Sequence, residues 1–227
     1  MFRDLLFDLD GTLLNFAAGE QAAFTTSLCE IGVTPVPQMY ARYSAINDGF
    51  WKRFERGEIE RVEIVRGRFR VWSEEFGIPL DPVAFNERYL DHLAEQGIPM
   101  DGAVELLTAL APRYALYLIS NGLARVQSPR MAQAGIDRFF RGCFVSSEMG
   151  VQKPGRAFFD HVAAAIPDFD PTQALVIGDS LSSDIRGANN AGLPCCWFNP
   201  NGAARPADLR IDFEVRSLSE LSAILLG

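Results

Sequence analysis

The chain has 227 residues, 48% of them hydrophobic and 22% charged, and a formal net charge of −8. That balance fits a soluble globular protein with a sizeable core, and it excludes a general nucleic-acid binder, whose affinity rests on basic surface. There is no signal-peptide pattern, no bilayer-length apolar run and no metal or disulfide spacing among Cys29, Cys143, Cys195 and Cys196, so a cytoplasmic protein with buried free thiols is expected.

In chain order, Leu5-Leu6-Phe7-Asp8-Leu9-Asp10-Gly11-Thr12-Leu13-Leu14 opens as a buried strand and ends in two carboxylates, a glycine and a threonine. The pattern is then helical to about Gln96, with helices predicted over 18–31, 38–56, 60–76 and 82–95, parted by breaker-rich segments. In the third of these, Val62, Val65, Phe69, Trp72 and Phe76 recur at steps of three and four and predict its buried stripe. From about Pro99 the texture alternates. Helices are predicted over 102–110, 124–134, 156–165, 183–191 and 218–225, and strands over 115–119, 142–145, 174–177, 194–198 and 211–215.

Such alternation implies a mostly parallel sheet with helices on both faces. The expected fold is α/β, a Rossmann-like parallel-sheet core domain (1–14 and 97–227) interrupted by an all-helical domain (15–96). A structureless insertion of about 80 residues is implausible, so this segment should fold as its own unit. Entering just after the two acids, it is expected to act as a lid over them.

Ligands of open α/β sheets bind beyond the carboxyl ends of the strands. Asp8 and Asp10 belong to that rim, as do Ser120-Asn121-Gly122, and Asp179 with Asp184 in Gly178-Asp179-Ser180-Leu181-Ser182-Ser183-Asp184. Lys153 lies in a loop of the same domain. Lys52 and Lys153 are the only lysines against 19 arginines, so arginine supplies the general surface charge and a remaining lysine asks for a specific role. A phosphate about 4 Å from an ionised carboxylate is repelled by about 4 kcal/mol per charge pair at an effective dielectric near 20. Carboxylate attack on phosphorus therefore needs cations. Lys153 is one, and Asp8, Asp179 and Asp184 could hold Mg²⁺, which favours carboxylates together with phosphate and water. The constellation points to phosphoryl transfer.

These segments resemble the four motifs of the haloacid dehalogenase superfamily, in order: Asp8-Leu9-Asp10-Gly11-Thr12, Ser120, Lys153, and Gly178-Asp179-Ser180 with Asp184. The helical insertion resembles that superfamily's type 1 cap. The resemblance implies Asp8 as nucleophile, forming an aspartyl-phosphate, and Asp10 as general acid and then base, with its backbone carbonyl on Mg²⁺. It implies Lys153 as a catalytic and phosphate-binding cation, Thr12, Ser120, Asn121 and Gly122 as further substrate-binding residues, and Asp8, Asp10, Asp179 and Asp184 as the metal site. Asp10 favours phosphate esters over halides, because an alkoxide leaving group needs a proton and a halide does not.

A finer resemblance is to the superfamily's pyrimidine nucleoside monophosphate nucleotidases, through Ile46 to Trp51 with Gly57, Arg66-Gly67-Arg68-Phe69 to Trp72, and Ala191-Gly192-Leu193 through Cys196-Trp197-Phe198-Asn199. It implies a small phosphorylated metabolite as partner, with neither a nucleic-acid polymer nor a membrane, and a monomer or homodimer. Phe50 and Trp51 are adjacent and cannot both face one core direction, so Trp51 is the candidate ring for a nucleobase. Alternatives within the superfamily are a phosphomutase, a phosphoglycolate or sugar-phosphate phosphatase and a 2-haloacid dehalogenase. Outside enzymes, a binding module that keeps the fold is the remaining reading.

Overall fold

β1 (Asp4–Phe7) is the middle of everything that follows in the sheet, because it is buried on both faces and pairs on both edges. The computed structural model describes residues 2–227. Five further strands, β2 (Ala115–Ser120), β3 (Gly142–Val145), β4 (Ala174–Gly178), β5 (Cys195–Phe198) and β6 (Phe213–Val215), complete a parallel sheet of order β3-β2-β1-β4-β5-β6. After β1 the chain builds outward through β2 and β3, then crosses back to lay β4 on the opposite edge of β1. The order thus reverses around β1, where such sheets open their ligand crevice.

Among the described residues, ten α-helices accompany the strands. α1 (Phe16–Glu30), α2 (Pro37–Glu55), α3 (Arg61–Phe76) and α4 (Pro82–Ala94) precede β2, as does α5 (Ala103–Leu110). α6 (Ala124–Gln133), α7 (Ser146–Met149), α8 (Arg156–Ala165), α9 (Arg186–Ala191) and α10 (Leu218–Leu226) alternate with the later strands. None is long and apolar enough to cross a membrane. The chain divides into two compact units, Met1–Phe16 with Gly97–Gly227, and Ala17–Gln96.

In the sheet unit both faces are buried, which is why the strands read as continuous apolar runs rather than alternating ones. Leu5, Phe7, Leu116, Leu118, Leu175 and Ile177 pack with α5 and α10 on one face. Leu6, Tyr117, Ile119, Val176 and Trp197 pack with Phe158, Phe159 and Val162 of α8 and Ala188 of α9 on the other. The predicted helix over 183–191 is shorter. A π-helical turn, Leu181–Ile185, comes first, started by the Ser180 hydroxyl accepting from the Ser183 N–H at 3.1 Å, and regular α-helix begins only at Arg186.

In the helical unit, α3 corrects the stripe expected from sequence. Ile64, Arg68, Phe69 and Trp72 are buried, whereas Val62 is 43% exposed. The face is turned because the Arg68 guanidinium lies 4.9 Å from the ring centres of both Phe69 and Tyr89, so an arginine occupies a core position. Around it, the Tyr43 ring stacks between Phe24 at 4.4 Å and Phe69 at 5.0 Å, with Trp72 edge-on to Phe24 at 5.1 Å. The thiol expectation also needs correcting: all four cysteines are free, but only Cys195 and Cys196 are buried, while Cys29 and Cys143 are exposed.

Candidate active site

Asp8 continues β1 by one residue, its N–H donating to the Ile177 carbonyl at 2.8 Å, and so stands at the carboxyl rim of the central strands. Its carboxylate Oδ1 accepts from Lys153 Nζ at 2.7 Å. The same ammonium donates to Asp184 Oδ1 at 2.6 Å and to the Ile119 carbonyl at 3.0 Å, so its three protons are all engaged and the side chain is fully enclosed. Asn121 fixes the loop that carries it, accepting from the Lys153 N–H at 2.9 Å and donating to the Lys153 carbonyl at 2.8 Å. Asp184 is buried beside the lysine and takes the Ser180 N–H on its other oxygen at 3.1 Å, so it serves the cluster rather than a solvent-facing helix end.

Asp179 follows β4. The Thr12 hydroxyl donates to its Oδ1 at 3.2 Å, and Trp197 Nε1 donates to its backbone carbonyl at 2.9 Å. Gly11 makes the approach possible. It sits at φ +88°, and a Cβ there would lie 2.5 Å from Asp179 Oδ2. Thr12 and Asn121, expected to meet a substrate, thus support Asp179 and Lys153, and the Gly122 N–H donates to Ser120 Oγ at 3.0 Å.

The electrostatics of this cluster are unbalanced. Asp8, Asp179 and Asp184 place a carboxylate oxygen each within 4.8 Å of one another. One lysine against three ionised acids leaves two negative charges in excess. Burial, then the Asp184 charge, pushes the Asp8 carboxyl well above the usual range, although Lys153 pulls against it. Burial and Asp184 likewise raise Asp179 to about 7. Burial tends to lower the Lys153 ammonium, but Asp184 and Asp8 overcome it and hold the lysine protonated above its usual range. Closely spaced hard oxygen donors with surplus negative charge are what a small divalent cation requires, so the residues present fit Mg²⁺.

Asp10 points elsewhere, into contacts with α6. Arg130 Nη1 donates to its Oδ1 at 2.6 Å and Gln127 Nε2 to its Oδ2 at 2.7 Å. Gln127 Nε2 also reaches Ser120 Oγ at 2.9 Å. Neither α6 residue was singled out from the sequence. The available signal was their spacing of three directly after Ser120-Asn121-Gly122, which puts both on one helix face, but polar residues on a helix read by default as the solvated side.

Trp51 and the second lysine lie in the helical unit. The Trp51 ring is edge-on to Phe54 at 5.7 Å and is covered by the Arg61 guanidinium at 5.7 Å, while Phe50 packs where Gly67 has no side chain. Lys52 is more than half exposed and pairs with Asp48 at 2.6 Å. Arg66 is exposed.

The chain is similar to known proteins over nearly its whole length. YfnB, a HAD-hydrolase of Bacillus subtilis, is 37% identical over 99% of this chain and 95% of its own length. Its crystal structure, bound to magnesium, superposes with a TM-score of 0.95 over 99% of this chain and 98% of that one. The pyrimidine 5'-nucleotidase PynA of Streptococcus pneumoniae is 37% identical over 97% of this chain and 93% of its own. The pyrimidine 5'-nucleotidase YjjG of Escherichia coli is 32% identical over 97% and 96%. The family model described as haloacid dehalogenase-like hydrolase matches residues 5–192, and the chain belongs to that family.

Proposed function

We propose that the chain is a Mg²⁺-dependent phosphatase that cleaves nucleoside 5'-monophosphates, pyrimidine ones foremost, through a phosphorylated Asp8. The observation that carries the reading is the Asp8 carboxylate, held on Oδ1 by a fully enclosed lysine among two further acids. A bound Mg²⁺, held by Asp8, Asp179 and the Asp10 carbonyl with Asp184 in support, would supply the missing positive charge and keep the acids ionised. Lys153 orients Asp8 for attack on phosphorus and sets a fixed positive charge beside the site of the phosphate. Ser120 donates to a phosphate oxygen. Asp10 gives a proton to the departing ester oxygen and takes one from the water that releases phosphate from Asp8. Asp10 also weighs against dehalogenation, since a departing halide needs no proton. Nucleotide preference rests on the likeness to PynA and YjjG over nearly the whole chain.

The test is phosphate release from a panel of UMP, dTMP, phosphoglycolate and hexose phosphates, with and without Mg²⁺. Stacking of a base on one aromatic ring is worth about 1–3 kcal/mol, so kcat/KM for UMP and dTMP should exceed that for phosphoglycolate by about tenfold to a hundredfold. Release should cease on chelation of the metal. Equal efficiency on phosphoglycolate and UMP marks a generalist and ends the nucleotidase reading.

A further inference from the structure

Gln127 and Arg130, which the chemistry above does not use, close a polar ring with Asp10 and Ser120. Gln127 is 2% exposed, Arg130 0% and Ser120 2%. Arg130 Nη1 donates to Asp10 Oδ1 at 2.6 Å and to Gln127 Oε1 at 2.8 Å. A guanidinium has no acceptor, so the Gln127 atom facing it must be the carbonyl oxygen, and the amide nitrogen must face the other way. That nitrogen gives one proton to Asp10 Oδ2 at 2.7 Å and the other to Ser120 Oγ at 2.9 Å. Arginine therefore fixes the glutamine, and the glutamine ties the acid to the hydroxyl.

Two consequences follow for groups on which the proposed phosphatase reaction depends. Asp10 receives a donor on each oxygen, so its carboxylate plane is set by α6 rather than by its own loop. Ser120 Oγ accepts twice, from Gln127 Nε2 and from the Gly122 N–H at 3.0 Å, which uses both lone pairs and leaves only its own proton to give. A hydroxyl so placed can meet a phosphate oxygen only as a donor. Gly122 is part of the arrangement, because a Cβ there would lie 2.2 Å from Gln127 Nε2.

We propose that Gln127 and Arg130 are positioning residues for phosphate ester cleavage, setting Asp10 to protonate the leaving group and committing Ser120 to donate to the phosphate. The proposal rests on the phosphatase reading above, and its test separates the two. kcat/KM would be measured for UMP, whose alkoxide needs a proton to leave, and for p-nitrophenyl phosphate, whose phenolate does not. The variants are Gln127→Leu, Arg130→Lys and Gly122→Ala, each checked for folding by its thermal transition. Expected is a fall in the ratio of UMP to p-nitrophenyl phosphate kcat/KM of about tenfold or more in Gln127→Leu, a partial loss of general-acid catalysis worth 10²–10⁴-fold when complete. Arg130→Lys and Gly122→Ala should move the ratio the same way by less. A structural role alone would lower both substrates in parallel or only the melting temperature. Folded variants with an unchanged ratio, beside a wild type that cleaves both esters, overturn this proposal alone. A wild type that cleaves neither overturns the phosphatase reading and this one with it.

Discussion

Both units bury charge, and they do it in opposite ways. In the helical unit Glu20 accepts from Asn47 Nδ2 at 2.7 Å and from the Tyr40 hydroxyl at 3.1 Å. Arg68 donates to Asn47 Oδ1 at 2.8 Å and to Asn86 Oδ1 at 2.7 Å. One acid and one base are joined there through amides, and the charges cancel. The sheet unit sets three acids against Lys153 and leaves an excess. A balanced buried network can fix a unique packing, whereas an unbalanced one is a cost to folding that a ligand can offset.

The comparison breaks most sharply at Asp8. Asp8→Asn removes one uncompensated charge and the proposed nucleophile while keeping the shape. Phosphate release should fall by more than about a thousandfold, and the melting temperature without metal should rise. A variant that still turns over within tenfold of wild type would refute the assignment. In the helical unit the same kind of change should have the opposite effect on stability. Arg68→Met leaves Glu20 buried without its countercharge and should cost about 3–5 kcal/mol in denaturant unfolding, with catalysis at low temperature retained. If Arg68→Met is as stable as wild type, the network does not hold the unit together.

Acidity sharpens the contrast next. Asp8 and Asp179 titrate above their unfolded values, Asp179 at about 7, so between about pH 4 and 7 the folded chain binds more protons than the unfolded one. Stability of the metal-free protein should therefore decline as pH rises through that window. Glu20 is also raised, by burial, and contributes the same sign. Only the sheet-unit part should respond to Mg²⁺, which should raise the melting temperature more at pH 8 than at pH 5. An equal Mg²⁺ shift at both values would count against the acid cluster as the metal site. The smallest effect is expected on the surface. Lys52→Ala deletes an exposed pair four residues apart on α2 and should change stability by less than about 0.5 kcal/mol, with phosphate release unaltered. A large loss of activity there would mean that the wrong lysine was assigned.

The sheet was legible because its strands are short apolar runs stopped by polar turns, and β3 and α8 fall on the residues the pattern picked out. Asp8, Lys153, Asp179 and Asp184 could be gathered in advance because each follows a strand or precedes a helix in a repeating α/β unit. Arg68, Gln127 and Arg130 could not. Their burial comes from partners distant in sequence, such as Asn86 for Arg68 and Asp10 for Arg130, and pattern reading assigns lone polar residues on helices to water. The same default misplaced the α3 stripe, since a buried arginine at 68 shifts which face counts as apolar. Thr12 and Asn121 show a subtler limit. Motif membership located them, but which acid or backbone group each one holds is a matter of tertiary geometry.

Where the chain leaves the sheet unit and where it returns, the two segments run side by side. Leu14 forms an antiparallel bridge with Pro99, the Asn15 N–H donates to the Ile98 carbonyl at 2.8 Å, and the Met100 N–H donates to the Leu13 carbonyl at 2.8 Å. Ala17–Gln96 is thus a loop whose two ends are pinned together by backbone hydrogen bonds. The entropy of closing such a loop grows only with the logarithm of its length, about 0.6 kcal/mol for each doubling. By that scaling alone, doubling a flexible insert at this stem would cost the sheet unit no more than a weak surface contact is worth. The stem at Leu13–Asn15 and Ile98–Met100 is in this sense a socket, able to carry inserts of very different size while the acids on β1 and β4 keep their places.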